Sequence, residues 1–266
     1  MLGRCQLDQP VAAIGLPAAL HEVSGLARVG RRLLAHQDEA ATVFELDPLS
    51  GEVVHQWDLS GRPKGDFEGI AVTGDGIALM TSAGELFLVG DFGPELSQID
   101  GNGQGSLPVE LSFERVETGL DRHCELEGLA YDAEARVLLI PCKVPRDIRY
   151  EGSLIVLRWS LEQAAPADPG QIVTPAASVT RALGFPRVRP TAVEWDSVTG
   201  RLLVLSAQPQ AVLEVTPDGR LVAALRLDPR RHPQPEGLTL VGDRLVIADE
   251  GNAAMPGSMT SYACAP

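Results

Sequence analysis

The chain has 266 residues, 44% of them hydrophobic, which is enough apolar sequence to bury one substantial core. It carries 36 acidic and 22 basic side chains, and a net charge of −14 excludes nucleic acid as a partner because phosphate backbones require an excess of basic charge. No apolar run reaches the roughly 18 residues of a membrane-spanning helix, so we expect no membrane span. We also expect one monomeric domain over residues 1–266.

The main feature of the sequence is a short motif that recurs five times, and each copy contains a small residue followed by a hydrophobic one. Its copies are, in chain order, HEVSGLARV (21–29), GDFEGIAVT (65–73), CELEGLAYD (124–132), RPTAVEWD (189–196) and QPEGLTLV (234–241). The small residues are 44, 59, 64 and 45 positions apart. A four-stranded propeller blade takes about 40–50 residues, so each interval holds one blade, and the two longer intervals also hold a loop.

Three further strand signals follow each of the first four copies. In chain order they are RRLLAH, ATVFELD and EVVHQWDL; GIALMTS, GELFLVG and VELSFERV; RVLLIP, GSLIVLRW and a strand near IVTPAASV; and GRLLVLS, AVLEVT and RLVAALRL. These apolar or alternating runs are bounded by Gly, Pro, Asp and Asn, which is typical of β-strands. The one candidate for a helix is SLEQAAPAD (160–168).

The last copy is followed by too few residues for a complete blade. The 29 residues after Gly237 and the 25 residues up to Gly25 together amount to one blade. The segment QPVAAIG (9–15) therefore supplies the missing outer strand, and this closure removes two exposed sheet edges. We predict an all-β, five-bladed propeller closed by an N-terminal strand that completes the last blade, with a six-bladed ring as the alternative.

The four cysteines form two plausible pairs in this arrangement. Cys5 and Cys264 both lie near the closure, and Cys124 and Cys142 flank the first hairpin of the third blade. Two disulfides indicate an oxidising compartment, periplasmic or secreted. The alternative is four buried thiols in a cytoplasmic protein, which agrees with the absence of an apolar signal-peptide region at the N-terminus.

Taken together, the five motifs resemble the SdiA-regulated family of bacterial β-propellers and, more distantly, are similar to the esterase-like-phytase propellers. The segments LLVLSAQPQAVLEVTPDG and RLVIADEGN also resemble the fourth and fifth blades of that family, so the likeness extends from about residue 10 to the C-terminus. The resemblance implies an envelope-associated propeller that holds a cation such as calcium, and it implies no particular reaction. The chain departs from the family pattern at residues 189–192, which read Arg-Pro-Thr-Ala.

Equivalent motif positions form rings around the axis of a propeller, because the innermost strand of each blade lines the central channel. The ring directly before the small residue is made of Ser24, Glu68, Glu127, Thr191 and Glu236. Carboxylates that converge on a narrow axis repel each other and require compensation, and oxygen ligands favour Ca²⁺ over Zn²⁺. We therefore predict Glu68, Glu127 and Glu236 as calcium ligands, the alternative being that each glutamate caps backbone N–H groups at a blade junction.

Two more rings and the loops between second and third strands add candidates for ligand binding. Positions two residues earlier give Glu22, Asp66, Glu125, Arg189 and Gln234. Positions five residues before the small residue give a basic rim of Lys64, His123, Arg187 and His232, with Leu20 in the first blade. Lys143 is placed to pair with the glutamates or to contact a ligand. The predicted ligand-binding residues are Glu22, Asp38, Asp66, His123, Glu125, Lys143, Asp249 and Glu250.

Local motifs for catalysis are absent from the sequence, which contains no G-x-S-x-G, H-E-x-x-H or P-loop. The segment Asp100–Gly105 resembles the first half of an EF-type calcium loop, but Glu110 falls one position early, which favours a plain hairpin loop. The predicted function is an envelope propeller that binds a small molecule or a protein at its central channel face, together with calcium. The alternatives are a metal-dependent hydrolase of a phosphate ester or lactone and a protein-interaction scaffold without a small-molecule site.

Overall fold

Five mainly antiparallel sheets follow one another around a central axis in the computed structural model, which describes residues 2–74, 76–90, 92 and 109–265. The five-bladed propeller is therefore confirmed. After β1 (Cys5–Gly15), the first blade contains β2 (Val23–Val29), β3 (Arg32–Gln37), β4 (Thr42–Leu46) and β5 (Val53–Leu59). The second contains β6 (Phe67–Thr73), β7 (Gly76–Thr81) and β8 (Glu85–Val89), then, beyond β9 (Val109–Leu111), β10 (Glu114–Glu117).

The remaining three blades follow in order along the chain. The third contains β11 (Cys124–Leu126), β12 (Ala130–Asp132), β13 (Val137–Pro145), β14 (Leu154–Ser160) and β15 (Ala165–Thr174). A helix, α1 (Ala176–Leu183), leads to the fourth, with β16 (Arg189–Asp196), β17 (Arg201–Gln208), β18 (Gln210–Val215) and β19 (Leu221–Arg226). The fifth contains β20 (Pro235–Val241), β21 (Arg244–Asp249) and β22 (Ser258–Cys264). Short 3₁₀ turns cover Leu2–Arg4, Ala18–Leu20, Leu120–Arg122 and Ile148–Tyr150.

The core lies between the blades, where the described residues form five apolar clusters. Every residue of β7 is buried, because both faces of the sheet are covered by neighbouring blades. This is why the middle strands read as continuous apolar runs in the sequence. No helix among the described residues is long and apolar enough to cross a membrane.

The N-terminal strand closes the ring as predicted. β1 pairs with β22 and forms the outer strand of the fifth blade. It begins at Cys5, four residues before the predicted strand, and Cys5 is bonded to Cys264 across this edge. The second predicted disulfide, Cys124–Cys142, is also present.

Three local predictions are wrong or untested. The run VELSFERV is two strands: β9 pairs in parallel with β5 of the first blade, and only β10 joins β8 of the second. The predicted helix 160–168 is the end of β14, a turn and the start of β15, whereas α1 begins directly after Pro175 and ends at Gly184 in a left-handed conformation. The predicted loop Asp100–Gly105 lies outside the described residues.

The small residue of the motif is required by the closeness of the inner strands around the axis. A Cβ atom on Gly69 would lie 2.6 Å from the backbone carbon of Gly128, and one on Gly128 would lie 2.8 Å from the Cα of Ala192. Gly128 also has a φ of +66°, which an L side chain rarely adopts. The backbone N–H of Gly128 donates to the carbonyl of Glu68 at 2.7 Å, so neighbouring blades are joined directly at this level.

A bulge precedes the small residue in four blades and determines where the polar side chain points. The ladder register shifts at Ser24, Glu68, Thr191 and Glu236, each of which is left out of the regular pairing. In the third blade, Glu127 lies in the break between β11 and β12. A bulge re-aims a side chain, and this one recurs at the ring position that the sequence predicts to face the axis.

We predict that the closing disulfide is the more important of the two for stability. In the chain-entropy model a cross-link stabilises more when it closes a longer loop, and the separation is 259 residues for Cys5–Cys264 and 18 for Cys124–Cys142. Replacing Cys5 and Cys264 by Ala should lower the free energy of unfolding by about 2–5 kcal/mol, measured by urea unfolding with Trp fluorescence. The matched variant lacks Cys124 and Cys142, and an equal or larger loss there would contradict the prediction.

Candidate axial binding site

The three glutamates predicted as metal ligands meet at the axis together with one lysine. Glu127 is 2% exposed, and Glu68 and Glu236 are partly buried. Lys143 lies near the end of β13, directly after the disulfide-bonded Cys142, and its Nζ is 2.6 Å from Oε1 of Glu127. We call Glu68, Glu127, Glu236 and Lys143 the axial cluster.

The carboxyl groups of the axial cluster retain protons at higher pH than ordinary glutamates do. Burial raises the pKa of Glu68, and the charges of Glu127 and Asp66 raise it further. Burial also raises the pKa of Glu127, although the ammonium of Lys143 opposes this effect. Burial raises the pKa of Glu236 to about 8 against the opposing charge of Lys143. The hydrogen bond between the two carboxyl groups raises the pKa of Glu68 and lowers that of Glu127, so the proton they share lies on Glu68.

Lys143 is the internal cation that balances this site. Burial alone would lower the pKa of its ammonium, but the attraction of Glu127, followed by that of Glu236 and Glu68, outweighs burial and raises it. At neutral pH the raised pKa values of Glu68 and Glu236 favour their protonated forms, and the ammonium of Lys143 is paired with Glu127. The net charge of the axial cluster is therefore close to zero, although four ionisable groups share one partly buried space.

The two hydroxyl residues of the same ring have different roles. Ser24 Oγ donates to Oε2 of Glu68 at 3.2 Å and so belongs to the edge of the cluster. Thr191 Oγ1 donates to the backbone carbonyl of Pro235 at 2.7 Å and joins the fourth blade to the fifth. Among the described residues, no backbone N–H donates to the side chains of the three glutamates, so the alternative of glutamate caps at blade junctions is wrong.

Four other predicted residues form a negatively charged surface beside the cluster, which we call the acidic arc: Glu22, Asp38, Asp66 and Glu250. Burial raises the pKa of Asp38, and the charge of Glu22 adds to the effect. Burial and then Asp38 and Glu22 raise the pKa of Glu250, whose carboxylate also accepts from the amide of Gln234. Oδ1 of Asp38 is buried and has no hydrogen-bond partner among the described residues. The arc thus has the excess negative charge that the cluster lacks.

The other predicted ligand residues are distributed differently. Glu125 Oε1 lies 3.9 Å from Lys143 Nζ, at the edge of the cluster. His123 is exposed and lines a separate surface depression together with Arg146 and Tyr150. Asp249 is 1% exposed, and its Oδ2 lies 2.7 Å from Nδ1 of His232, so it faces the interior of the fifth blade.

The predicted basic rim is wrong, because its positions do not share one environment. Leu20 and His232 are completely buried. Nε2 of His232 lies 2.5 Å from the hydroxyl of Tyr262, and its backbone N–H donates to Asp228. This turn directs the imidazole into the blade instead of over the axis.

The calcium prediction is not tested by the arrangement and stays a prediction. In the part of the chain that the structure describes, no group of three or more His, Cys, Asp or Glu side chains is arranged to hold a metal ion. The ammonium of Lys143 lies 2.6 Å from Oε1 of Glu127, and its positive charge opposes a metal ion at that carboxylate. The axial cluster would fit calcium only if its carboxyl groups lost their protons and Lys143 moved away.

Sequence reasoning missed a groove between the third and fourth blades. Its volume is about 260 Å³, and its basic lining residues are Lys143, Arg146, Arg187 and Arg189. We call these four residues and the space between them the basic groove. The sequence places them in separate rings and loops, but residues 143–146 and 187–189 together hold four of the 22 basic side chains of an acidic chain. This local excess is the signal that could have identified the groove.

A second missed residue lies at the opposite end of the channel. Glu194 lines a cavity of about 300 Å³ together with Arg28, Tyr131 and Trp195. Burial raises the pKa of Glu194 to about 7, although the hydroxyl of Thr239 donates to it at 2.7 Å. Its position two residues after the small residue is not acidic in the other motif copies, so the repeat gives no indication of it.

A comparison with protein-family models decides the family. The model described as SdiA-regulated matches residues 11–253. The chain belongs to the SdiA-regulated family. A comparison of this SdiA-regulated propeller with curated protein sequences finds no match.

Solved structures similar to this SdiA-regulated protein are propeller proteins. Glutaminyl cyclase from Myxococcus xanthus is 14% identical, with a TM-score of 0.65 over 97% of both chains. A luciferin-regenerating enzyme is 9% identical, with a TM-score of 0.55 over 97% of this chain and 96% of that one. The PQQ-bound aldose sugar dehydrogenase from Streptomyces coelicolor is 13% identical, with a TM-score of 0.55 over 96% and 99%. At these identities the likeness shows the fold alone.

We predict that Glu236→Gln changes the pH dependence of stability. The folded state keeps the proton of Glu236 up to a pH of about 8, whereas an ordinary glutamate loses it near 4.5. The folded state thus binds more protons, so the free energy of unfolding falls as pH rises through this window. Relative to wild type, the free energy of unfolding of E236Q should rise by at most about 1.4 kcal/mol per pH unit, measured by urea unfolding from pH 5 to 8.5. The exposed Glu134→Gln is the control, and parallel curves for E236Q and wild type would contradict the assignment.

Proposed function

We propose that this protein is a ligand-binding module of the bacterial envelope and that its ligand binds at the axial face. The observation that carries this proposal is the axial cluster, where three glutamates with raised pKa values interact with one lysine that is paired with Glu127. The acidic arc and the basic groove lie beside it on the same face of the propeller. The central channel face therefore offers carboxylic acids, carboxylates and cations to one small molecule.

The free-energy cost of burying the ionisable groups of the axial cluster supports a functional role. Burying ionisable groups requires desolvation, and well-packed apolar residues of similar size are often as stable or more stable. A purely structural axis could be closed with apolar residues of similar size. Strongly shifted pKa values are concentrated at binding and catalytic sites. These arguments favour a ligand site over a scaffold whose axis has no small-molecule role.

The envelope location rests on the two disulfides. Disulfides persist in oxidising compartments and are rare in reducing cytosol, and the chain has no free cysteine among the described residues. One of them joins Cys124 to Cys142, next to Glu125 and Lys143, so it also holds the axial cluster in place. We therefore propose a periplasmic or secreted protein.

Calcium belongs to this proposal in a pH-dependent form. Near neutral pH the protons on Glu68 and Glu236 and the ammonium of Lys143 already compensate the cluster. Loss of these protons at higher pH makes the three glutamates more negative and better suited to a hard cation with oxygen ligands. We propose that calcium binds weakly at pH 6.5 and more tightly at pH 8.5.

We predict that Lys143→Met tightens calcium binding. The substitution removes the ammonium that competes with the metal ion, while the long side chain keeps part of its packing. Calorimetric titration with calcium chloride at pH 8.5 should give an affinity at least tenfold higher for K143M than for wild type, and thermal unfolding should show a larger rise in Tm.

The control for this experiment is Lys64→Met at the only other lysine in the chain. Lys64 is exposed, and the substitution also removes one positive charge. K64M should behave like wild type. No heat and no change in Tm with calcium at pH 8.5, in either wild type or K143M, would show that the axial cluster does not bind calcium.

A metal-dependent hydrolase of a phosphate ester or lactone is the second candidate function. It is favoured by the hydrogen bond between Glu68 and Glu127, which sets an acid beside a carboxylate at neutral pH, the pair that general acid–base catalysis requires. The solved structures of similar fold include three proteins whose names describe enzymes. The carboxylate of Glu127 would accept a proton from the attacking water, and Glu68 would donate one to the leaving oxygen.

Turnover distinguishes the two candidates. The hydrolase predicts product release from aryl phosphates or γ-lactones incubated with calcium, and Glu127→Gln should lower kcat by about 100-fold or more. The binding module predicts that the same compounds are recovered unchanged by mass spectrometry from wild type. Activity that E127Q retains would point to a contaminant and would contradict the hydrolase candidate.

A further inference from the structure

We propose that the basic groove binds an oxyanion, a carboxylate or phosphate carried on a short apolar body. The inference rests on the proposed function in that it assigns the groove to one part of the same ligand. It adds the chemical class of that ligand, which neither the family nor the axial cluster specifies.

The charge of the basic groove opposes that of the whole molecule. The chain has a net charge of −14, yet this groove is lined by four basic side chains and a single acidic one, Glu151. Clustered cations repel each other, and in an acidic protein they could have been separated at no cost in packing. Their convergence on one concave surface favours an anionic ligand.

The partners of these side chains show which charges remain available. Lys143 is paired with Glu127, and Arg187 is paired with Glu151. Arg146 donates from Nε to the backbone carbonyl of Asp121 at 2.7 Å and forms no ion pair with a described residue. Arg189 uses its backbone N–H on Ser206, while its guanidinium has no partner in the described part of the chain. Two guanidinium groups are therefore free to bind an anion.

Two arginines suit an oxyanion better than other anions. Each guanidinium presents several N–H groups in a planar fork that matches the two oxygens of a carboxylate or phosphate. The hydrogen bond from Arg146 to the Asp121 carbonyl fixes the direction of that side chain before any ligand arrives. An oriented donor loses less conformational entropy on binding than a mobile one does.

The walls of the basic groove are apolar and account for the second part of the ligand. They are formed by Val144, Pro145, Ile148 and Val188. Ile148 is 75% exposed, which is unusual for so large an apolar side chain and marks a surface that gains by being covered. The space of about 260 Å³ accommodates a short chain or one ring and is too small for a folded partner.

The basic groove continues outward past Arg187 and Arg189. A second depression shares Arg187 and Arg189 and is lined by Phe185 and Arg226. The guanidinium carbon of Arg226 lies 4.8 Å from the centre of the Phe185 ring, so the aromatic face is already occupied by a cation. The apolar body of the ligand is therefore expected on the Ile148 side, between Arg189 and the axis.

Lys143 links the basic groove to the axial cluster, because it lines the groove while its Nζ contacts Glu127. A ligand whose oxyanion lies between Arg146 and Arg189 would place its other end near Glu68 and the acidic arc. The complementary group at that end is a hydrogen-bond donor or an amine. The ligand class is thus an organic acid that carries an amine or another hydrogen-bond donor at its far end.

The test is calorimetric titration of the full chain at constant ionic strength with three probes and a neutral control. Phenyl phosphate, 3-phenylpropionate and inorganic phosphate distinguish the phosphate from the carboxylate source and measure the contribution of the apolar body. Benzyl alcohol lacks the anion and should not bind. We expect at least one aromatic anion to bind more tightly than inorganic phosphate, and binding to weaken with added salt.

The variant Arg146→Gln/Arg189→Gln should lose at least tenfold in affinity for that anion. The matched control is Arg136→Gln, an exposed arginine at the opposite end of β13 whose only charged partner among the described residues is the exposed Glu162. Equal affinities of the two variants, or no binding of any probe to wild type at millimolar concentration, would overturn the proposal.

The same titration separates this inference from the proposed function. In Glu127→Gln the axial cluster is altered but Arg146 and Arg189 are untouched, so the anion should bind as well as or better than in wild type. Anion binding without any calcium response would support the basic groove as an anion site and contradict the axial calcium site. A calcium response without anion binding would support the axial calcium site and contradict the anion site in the basic groove.

Discussion

The rest of the structure depends on the close approach of the inner strands at the axis. At the level of Gly69 and Gly128 there is no space for a Cβ atom, so neighbouring blades meet backbone to backbone. The chain accommodates this approach with a small residue in every blade and a bulge directly before it in four of them. The same geometry that closes the ring therefore brings the side chain at the bulge position towards the axis. In three blades that side chain is a glutamate, so closing the ring also assembles the axial cluster.

Compensation of that charge comes from within the chain. Lys143 follows Cys142, which is bonded to Cys124 and pairs in register with Leu126, one residue before Glu127. The disulfide thus connects the strand that carries the ammonium to β11, which ends directly before Glu127. Raised pKa values allow Glu68 and Glu236 to remain neutral at physiological pH, which reduces the repulsion further. A cluster neutralised in this way requires no metal ion to balance its charge.

Features that follow from local period and position could be predicted from the sequence, and features that depend on loop paths could not. The spacing of the motif predicts the blade number, the closing strand and both cysteine pairs, because each depends on strand order alone. The ring of Glu68, Glu127 and Glu236 was predictable for the same reason. The basic rim failed because the loops before the motifs differ in length and structure: a turn at Asp228 buries His232, whereas Arg187 follows a helix and stays exposed. The basic groove was missed because its members come from different repeat positions that only the loop over residues 145–153 brings together.

The distribution of charge over the axial face gives the site a direction. The acidic arc belongs to the first, second and fifth blades, the basic groove belongs to the third and fourth, and the near-neutral axial cluster lies between them. A fivefold repeat would place like charges symmetrically around the axis, where an asymmetric ligand could bind in several orientations. In this chain the five repeats carry different charges at these positions. A molecule with opposite charges at its two ends is therefore attracted in one orientation only. Electrostatic complementarity of this kind contributes more to specificity than to affinity. Thr191 contributes to this polarity, because a glutamate at its position, as three other blades have, would place negative charge beside Arg189.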